Sequence, residues 1–232
     1  MSNGEDLPGN SLIGQTGYLR RKSISDPRER SDYSHLASLV ESGEPPDSSA
    51  GGKQPKFTCF SRDKNAYVIV KFTSANDSAV STRWSDILIS EYYAAKVLLE
   101  HGFAAAESEL VHLGSRTFLE SVRFDRVGAQ GRSSMLSLQC IDAEFVGSGT
   151  HWIEAMDVLL QKNLVNPAST IDAFLYHEFG RYINNSDMHL GNLSLGVDGA
   201  VFRVLPIYDM CSIKVALRFE EYRRQVKNEH RI

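Results

Sequence analysis

The pattern of hydrophobic and polar positions changes near Phe57. Residues 1–55 are rich in Gly, Ser, Pro and charge, with one short helical pattern at 31–40 and breaker residues throughout 41–54. From Phe57 onward, short aromatic and β-branched runs flank a long helical pattern, which predicts strand, strand, helix, strand, strand. The predicted bounds are 57–61, 67–72, 84–101, 109–113 and 116–124.

Beyond residue 126 the pattern is mostly helical and then becomes a hairpin. Asn166-Pro167 separates two helices, and Ser169 or Thr170 is suited to cap the second one. Asp198-Gly199 is a strong turn signal between two strands. The predicted elements are helices at 151–160 and 170–182, a polar loop at 184–190, strands at 192–197 and 200–205, and a charged helix at 214–232.

Composition narrows the class of protein. The 232 residues, 42% of them hydrophobic, suffice for one substantial core or two small lobes. A net charge of -4 argues against direct nucleic-acid binding, because such proteins carry a basic field. Three widely separated cysteines favour a reducing compartment over a disulfide framework or a zinc site. No apolar run reaches the roughly 20 residues of a membrane span and no signal-peptide pattern is present, so we expect a cytoplasmic protein.

Asp187, Asn192 and Asp209 carry the candidate chemistry. Phosphoryl transfer needs a carboxylate that orients the attacking hydroxyl, and oxygen ligands that hold Mg on the ATP phosphates. In protein kinases an Asp, an Asn five positions later and an Asp after a short hairpin supply these groups. All three occur here in that order. A surface loop with an Asx turn, followed by an ordinary hairpin, has the same spacing, so the segment alone leaves both readings open.

Lys71 adds the other half of a kinase cleft. It stands in a strand with apolar neighbours on both sides, where an unpaired charge is costly. A kinase small lobe uses such a lysine to contact the α- and β-phosphates and to pair with a helix Glu, and Glu91 is available in the next helix. A solvent-facing lysine on an edge strand is the alternative. Upstream, Gly51 and Gly52 permit backbone N–H groups to approach phosphate, although a flexible linker has the same composition.

The segment 118–126 closes the strand-rich half and leads into the helical half. At this point a kinase hinge hydrogen-bonds adenine through its backbone, and the Asp125 carboxylate is suited to accept from a ribose hydroxyl. The alternative is an ordinary Arg–Asp surface ladder at the end of a strand.

Together these motifs resemble the HipA family of bacterial toxin kinases, and the resemblance covers residues 44–212. The Arg-Phe-Asp-Arg run and the D-x-H-x-x-N-x-S pattern are its specific parts. GEDLPGN, near the start, also resembles the region before the kinase core in members with an N-terminal DNA-binding segment. The segments that carry the resemblance are SSAGGKQPKF (48–57), VIVKF (68–72), SEYYAAKVL (90–98), VRFDR (122–126), NNSDMHLGNLSL (184–195) and LPIYDM (205–210).

The resemblance implies an α+β, bilobal protein-kinase-like fold with a β-rich small lobe and an incomplete helical large lobe. The implied parts are an N-terminal polar region (1–43), a small lobe with Gly-rich loop and hinge (44–126), a partial helical lobe with the catalytic loop and the metal-binding hairpin (127–213), and a charged tail (214–232). Family members continue for a hundred or more residues beyond the second Asp motif, whereas about twenty follow here. We therefore expect a chain that is truncated at its C-terminus.

The resemblance also implies roles for individual residues. Ser49 falls where the family has a regulatory autophosphorylated serine, and a phosphate there would place about two negative charges beside those of ATP. The implied site consists of catalytic Asp187, the Mg ligands Asn192 and Asp209, and the nucleotide-binding residues Lys71, Gly51, Gly52, Arg123, Phe124, Asp125 and His189.

The implied function is that of an ATP- and Mg-dependent protein serine/threonine kinase of the toxin type. Its implied partners are a protein substrate such as an aminoacyl-tRNA synthetase and an antitoxin-like protein, through which a DNA role would be indirect. The alternative is a catalytically inactive kinase-like protein that binds nucleotide or an antitoxin-like partner.

Overall fold

The computed structural model describes residues 8–10, 27–43, 54–128, 131–149 and 151–212. A strand-rich half comes first along the chain and a helix-rich half follows. The helices are α1 Tyr33–Glu41, α2 Ala79–Glu100, α3 Leu138–Phe145, α4 Trp152–Gln161 and α5 Pro167–Tyr182. The strands are β1 Lys56–Ser61, β2 Ala66–Phe72, β3 Ser108–Leu113, β4 Arg116–Val122, β5 Arg126–Val127, β6 Gly131–Arg132, β7 Leu136–Ser137, β8 Ser194–Asp198 and β9 Val201–Val204.

Strands β1 to β4 form one antiparallel sheet in the order β1-β2-β4-β3. Helix α2 lies between β2 and β3 in the sequence, so the predicted order of two strands, a helix and two strands is confirmed. Helix α2 begins at Ala79 rather than at residue 84, because the Ser78 hydroxyl accepts the Ser81 N–H (3.1 Å) and caps the first turn. Strand β2, in the middle of the sheet, places Lys71 next to α2.

Helix α1 covers one face of this sheet and confirms the short helix predicted at 31–40. Its buried Tyr33 packs edge-on against Phe57 and also contacts Phe118, which places an aromatic cluster at the centre of the small core. The Tyr33 hydroxyl donates to the fully buried Glu120 carboxylate (2.6 Å), which also accepts from Ser61 (2.8 Å). These bonds satisfy a charge that would otherwise be costly to bury.

The helix-rich half has its own core, in which α3, α4 and α5 pack with the small sheet β7-β8-β9. The hairpin β8–β9 confirms the strands predicted around Asp198-Gly199. The two helices are separate at Asn166, as predicted, but the prediction that Ser169 or Thr170 caps the second helix was wrong, because α5 begins at Pro167. The Asn166 side chain caps α5 by accepting the Ser169 N–H (2.8 Å), and Pro167 occupies the first helical position, where a missing N–H costs nothing. Helix α3 and the short strands β5, β6 and β7 were not predicted, because their apolar patterns are too short to stand out.

Two further observations concern the described part of the chain. Each of its helices is either too short or too polar to cross a bilayer. Its three cysteines, Cys59, Cys140 and Cys211, are free thiols.

Candidate active site

The structure brings Lys71, Glu91 and Asp209 together between the two halves. The Lys71 ammonium on β2 donates to both oxygens of Glu91 on α2, at 2.6 and 2.8 Å, and also contacts the Asp209 carboxylate. Lys71 is 9% exposed and Glu91 is 7% exposed, so the pair is largely withdrawn from water. The predicted pairing of Lys71 with Glu91 is confirmed, and the alternative of a solvent-facing lysine is wrong.

Charges in this triad are mutually dependent. Burial disfavours an ammonium, but the carboxylates of Asp209 and Glu91 outweigh it and raise the pKa of Lys71. Burial raises the pKa of Glu91; the Lys71 ammonium lowers it and the neighbouring Asp209 carboxylate raises it further, and the net shift is upward. Burial also acts against ionisation of Asp209, yet the Lys71 ammonium holds the pKa of that carboxyl below its ordinary value. The cluster therefore favours a charged Lys71 ammonium in contact with an ionised Asp209 carboxylate.

Asp209 is held in place by the segment that precedes it. Ile207 exchanges backbone hydrogen bonds with the segment after α2: its N–H donates to Ala104 (3.0 Å) and its C=O accepts from Ala106 (2.9 Å). Asp209 itself has φ +56°, a left-handed conformation that costs a side-chain-bearing residue about 1–3 kcal/mol and persists only where the surroundings enforce it. Such strain is typical of functional positions.

The loop with Asp187 exposes its carboxylate and fixes its backbone. The Asp187 side chain is 64% exposed, and the imidazole Nε2 of His189 lies 3.9 Å from its Oδ1. Asn192 Nδ2 donates to the Asp187 carbonyl (2.6 Å), which closes the loop across the predicted five-residue spacing. The buried Trp152 of α4 donates its indole N–H to the His189 carbonyl (2.9 Å) and so attaches the loop to the core of the helix-rich half.

The chemistry of the predicted metal ligands suits Mg, which prefers hard oxygen donors and keeps several water or phosphate ligands. The amide nitrogen of Asn192 is committed to the Asp187 carbonyl, so its oxygen remains as the donor atom. Asp209 supplies a carboxylate, one oxygen of which contacts Lys71. Among the residues that the structure describes, no three His, Cys, Asp or Glu side chains are grouped to hold a metal unaided. Any ion here would take its remaining ligands from water or a bound phosphate, and the assignment stays a prediction.

Asp125 lies in a buried ionic cluster. It accepts from Arg123 Nε (3.0 Å) and Nη2 (2.9 Å), from Arg126 Nη1 (2.6 Å) and from the Gly9 N–H (2.8 Å). Burial acts against its ionisation, but Arg123 and Arg126 hold the pKa of Asp125 below its ordinary value. The Arg123 N–H is bonded to the Tyr67 carbonyl (2.9 Å). These contacts are internal to the chain, and the roles of Arg123 and Asp125 toward a nucleotide stay predictions.

Phe124, between these two charged residues, lies toward the Asp209 segment. Its ring centroid is 6.0 Å from that of Tyr208. The Tyr208 hydroxyl bonds Ser194 (2.6 Å) and donates to the Gly191 carbonyl (3.2 Å), and burial raises its pKa to about 12. This tyrosine therefore joins the segment around Phe124 to the Asp187 loop. Ser49, Gly51, Gly52 and the segment 214–232 lie outside the described residues.

Sequence reasoning missed Asn185, Trp152 and Tyr208, which hold the site segments by hydrogen bonds. Only Asn185 has a local signal, because an Asn two residues before Asp187 can accept that residue's N–H in an Asx turn. Trp152 lies far from the loop in sequence, and its role depends on how α4 packs.

Comparisons with known proteins agree with the fold. A family model described as the HipA-like C-terminal domain matches residues 48–231. Toxin YjjJ of Escherichia coli strain K12 is 41% identical over an alignment of 217 residues, which covers 90% of this chain and 49% of that protein. The chain thus spans about half the length of this curated relative.

Two solved structures share the fold. A chain of the Shewanella oneidensis MR-1 toxin–antitoxin complex of HipA, HipB and operator DNA matches with a TM-score of 0.65 and 19% identity, covering 91% of this chain and 56% of that one. The Helicobacter pylori proinflammatory kinase CtkA matches with a TM-score of 0.51 and 18% identity, covering 71% and 56%. The α+β, kinase-like fold is therefore confirmed, and the chain belongs to the HipA-like C-terminal domain family.

Proposed function

We propose that this chain carries the site of a Mg- and ATP-dependent protein serine/threonine kinase of the toxin type. The observation that carries the proposal is the buried Lys71–Glu91 pair with the Asp209 carboxylate against the same ammonium. A strand lysine paired with a helix glutamate is the arrangement by which kinases present a cation to the α- and β-phosphates. Membership of a family that includes toxins supports the same activity.

Each predicted residue has a role in this proposal. Lys71 binds the phosphates, and the exposed Asp187 carboxylate orients the serine hydroxyl of a protein substrate and accepts its proton. Asn192 and Asp209 hold Mg, which neutralises phosphate charge when bound. The residues proposed to contact the nucleotide are Gly51, Gly52, Arg123, Phe124, Asp125 and His189, with Ser49 as the regulatory phosphorylation site.

The proposed partners follow from the family. The Shewanella toxin is described in complex with HipB and operator DNA, which supports an antitoxin-like protein as a partner of this chain. An aminoacyl-tRNA synthetase is the proposed phosphoacceptor, and the cytoplasm is the proposed location.

A second candidate is a kinase-like protein that binds nucleotide or an antitoxin-like partner without phosphate transfer. The direct contact between Lys71 and Asp209 favours it, because one ion pair engages both the phosphate-binding cation and a predicted Mg ligand. Turnover requires Mg-ATP to separate these groups, and a chain that cannot do so would bind without catalysis.

The test compares transfer of the γ-phosphate from labelled ATP in three forms of the chain: wild type, Asp187→Asn and Asp198→Asn. Asp198 is exposed in the β8–β9 turn and serves as the matched control. Loss of a catalytic carboxylate is expected to lower transfer by about 100-fold or more, with no change in the control. Equal labelling in both variants would refute the catalytic assignment.

Nucleotide binding, measured together with phosphate transfer, separates the two candidates. A thermal shift with Mg-ATP in the wild type, lost in Lys71→Met, is expected under both. A shift without any transfer identifies the non-catalytic candidate, and no shift at all is incompatible with either.

A further inference from the structure

Asn185 contacts both halves of the proposed catalytic centre. It is 6% exposed, and its Oδ1 accepts the Asp187 N–H at 3.0 Å. Its Nδ2 donates to the Asp209 carbonyl at 3.4 Å and lies 3.6 Å from the sulfur of Met210. One buried amide group therefore spans the segment of the candidate base and the segment of a candidate Mg ligand.

The backbone of Asn185 is fixed by the end of α5. Its N–H donates to the Gly180 carbonyl (2.8 Å), and the Asn184 N–H donates to the Arg181 carbonyl (3.1 Å). Asn184 has φ +57°, so these bonds form a Schellman motif with an asparagine in the left-handed position. The direction in which Asn185 leaves the helix is consequently set by a 16-residue helix rather than by a loose loop.

Gly180 supplies a second, independent contact between the same segments. A Cβ added at this position would lie 2.1 Å from the sulfur of Met188, in the Asp187 loop, and 3.2 Å from the methyl group of Met210. Both methionines therefore approach α5 where the absent side chain leaves room. The two catalytic segments lie against one turn of one helix, next to Asn185.

We propose that Asn185 is a positioning residue that sets the Asp187 and Asp209 segments relative to each other for phosphate transfer. The claim rests on the proposed function. An amide suits the role because it carries a donor and an acceptor on one rigid plane, whereas a carboxylate lacks the donor and an aliphatic side chain lacks both. Displacement of reacting groups by about 1 Å can lower a rate by about 100-fold, so two hydrogen bonds at this place have a measurable kinetic effect.

The experiment measures kcat and KM for ATP in Asn185→Ala and Asn185→Asp. Asn163→Asp is the control, because Asn163 follows α4 as Asn184 follows α5, in a left-handed conformation (φ +56°), and is exposed. Asn185→Ala is expected to lower kcat by about 10- to 100-fold while KM for ATP changes less than about threefold. Asn185→Asp keeps the acceptor for the Asp187 N–H and is expected to fall between the alanine variant and the wild type. Unchanged kcat in Asn185→Ala, or a rise in KM that accounts for the whole loss, overturns the proposal.

Hydrogen exchange distinguishes failure of this proposal from failure of the proposed function. In Asn185→Ala, peptides from 184–192 are expected to exchange faster, while peptides from the middle of α5 keep the wild-type rate. Equal protection in both proteins overturns the positioning role, whether or not the wild type transfers phosphate. Loss of protection throughout α5 also overturns it, because Asn185 would then support the fold as a whole. A wild type without transfer refutes the proposed function, and exchange alone then decides whether Asn185 holds the loop.

Discussion

Replacement of Lys71 by methionine tests the buried ion pair that carries the proposed function. Methionine keeps much of the volume and removes the ammonium, so Glu91 and Asp209 lose their shared cation. At 2.6 and 2.8 Å, with an effective dielectric constant of about 20, the attraction between Lys71 and Glu91 is about 6 kcal/mol before desolvation is subtracted. Because desolvation offsets part of it, we expect the free energy of unfolding to fall by about 3–5 kcal/mol at pH 7.5.

The loss should depend on pH, with a definite sign. Burial already raises the pKa of Glu91, and removal of Lys71 raises it further. The folded variant then keeps a proton that the unfolded chain releases above about pH 4.3. Its stability therefore falls as pH rises between the unfolded and the folded pKa, by at most about 1.4 kcal/mol per pH unit. In the wild type the pKa of Lys71 is raised, so the stability that its charge contributes is complete below about pH 10.4 and is lost as pH rises from there through the folded pKa.

Urea unfolding followed by circular dichroism at pH 5.5 and 7.5 provides the measurement. Lys96→Met is the control, since Lys96 also lies on α2 and pairs with Glu100 at 4.0 Å, but with both side chains at least half exposed. Such surface pairs contribute at most about 1 kcal/mol. A Lys71→Met penalty as small as that of Lys96→Met, or one that does not change with pH, would refute the reasoning.

Three other substitutions have defined outcomes. Gly9→Ala is expected to free residues 8–10 and increase their proteolysis, since Gly9 has φ +71° and a Cβ would lie 2.7 Å from the Met135 backbone. Asp125→Asn is expected to lower the free energy of unfolding by about 3–5 kcal/mol at pH 7. The pKa of Asp125 is depressed, so its contribution to stability is complete above about pH 3.9 and is lost as pH falls through the folded pKa. The free energy of unfolding from urea titrations at pH 3 and pH 7 should therefore differ less between the two pH values in Asp125→Asn than in the wild type. Trp152→Phe keeps an aromatic ring but loses the 2.9 Å bond to the His189 carbonyl and leaves a small cavity in the core, so phosphate transfer should fall and the free energy of unfolding should drop by about 2–3 kcal/mol.

Each of these predictions has a matched comparison. Gly43→Ala places a Cβ in open space at φ +83°, and proteolysis equal to that of Gly9→Ala would contradict the clash argument. Asp198→Asn should leave the difference in unfolding free energy between pH 3 and pH 7 as it is in the wild type. If Asp198→Asn reduced that difference as much as Asp125→Asn does, the pH dependence could not be assigned to Asp125. Trp84→Phe, on α2, should preserve phosphate transfer. Equal losses of transfer in the two tryptophan variants would contradict the inference that Trp152 positions the Asp187 loop.

Local patterns in the sequence predicted most elements of this fold. Short aromatic and β-branched runs placed β1 and β2, the Asp198-Gly199 turn signal placed the β8–β9 hairpin, and helical spacing placed most of α2, because these signals arise from neighbours along the chain. The start of α5 was misassigned although its signal is local. Asn166 and Pro167 break a helix in its interior but begin one at its N-terminus, and composition alone does not distinguish the two.

The sequence by itself also determined the candidate residues and their order, from Lys71 through Asp187 to Asp209. Only the tertiary structure decided that Lys71 meets Asp209, 138 positions away, because that contact depends on how the two halves pack. Packing likewise turned Asp125 toward two arginines and Gly9, and brought Asn185 between two segments of the site. Hydrogen bonds between distant residues have no period or spacing in the sequence, so the supports of the site became visible only with the fold.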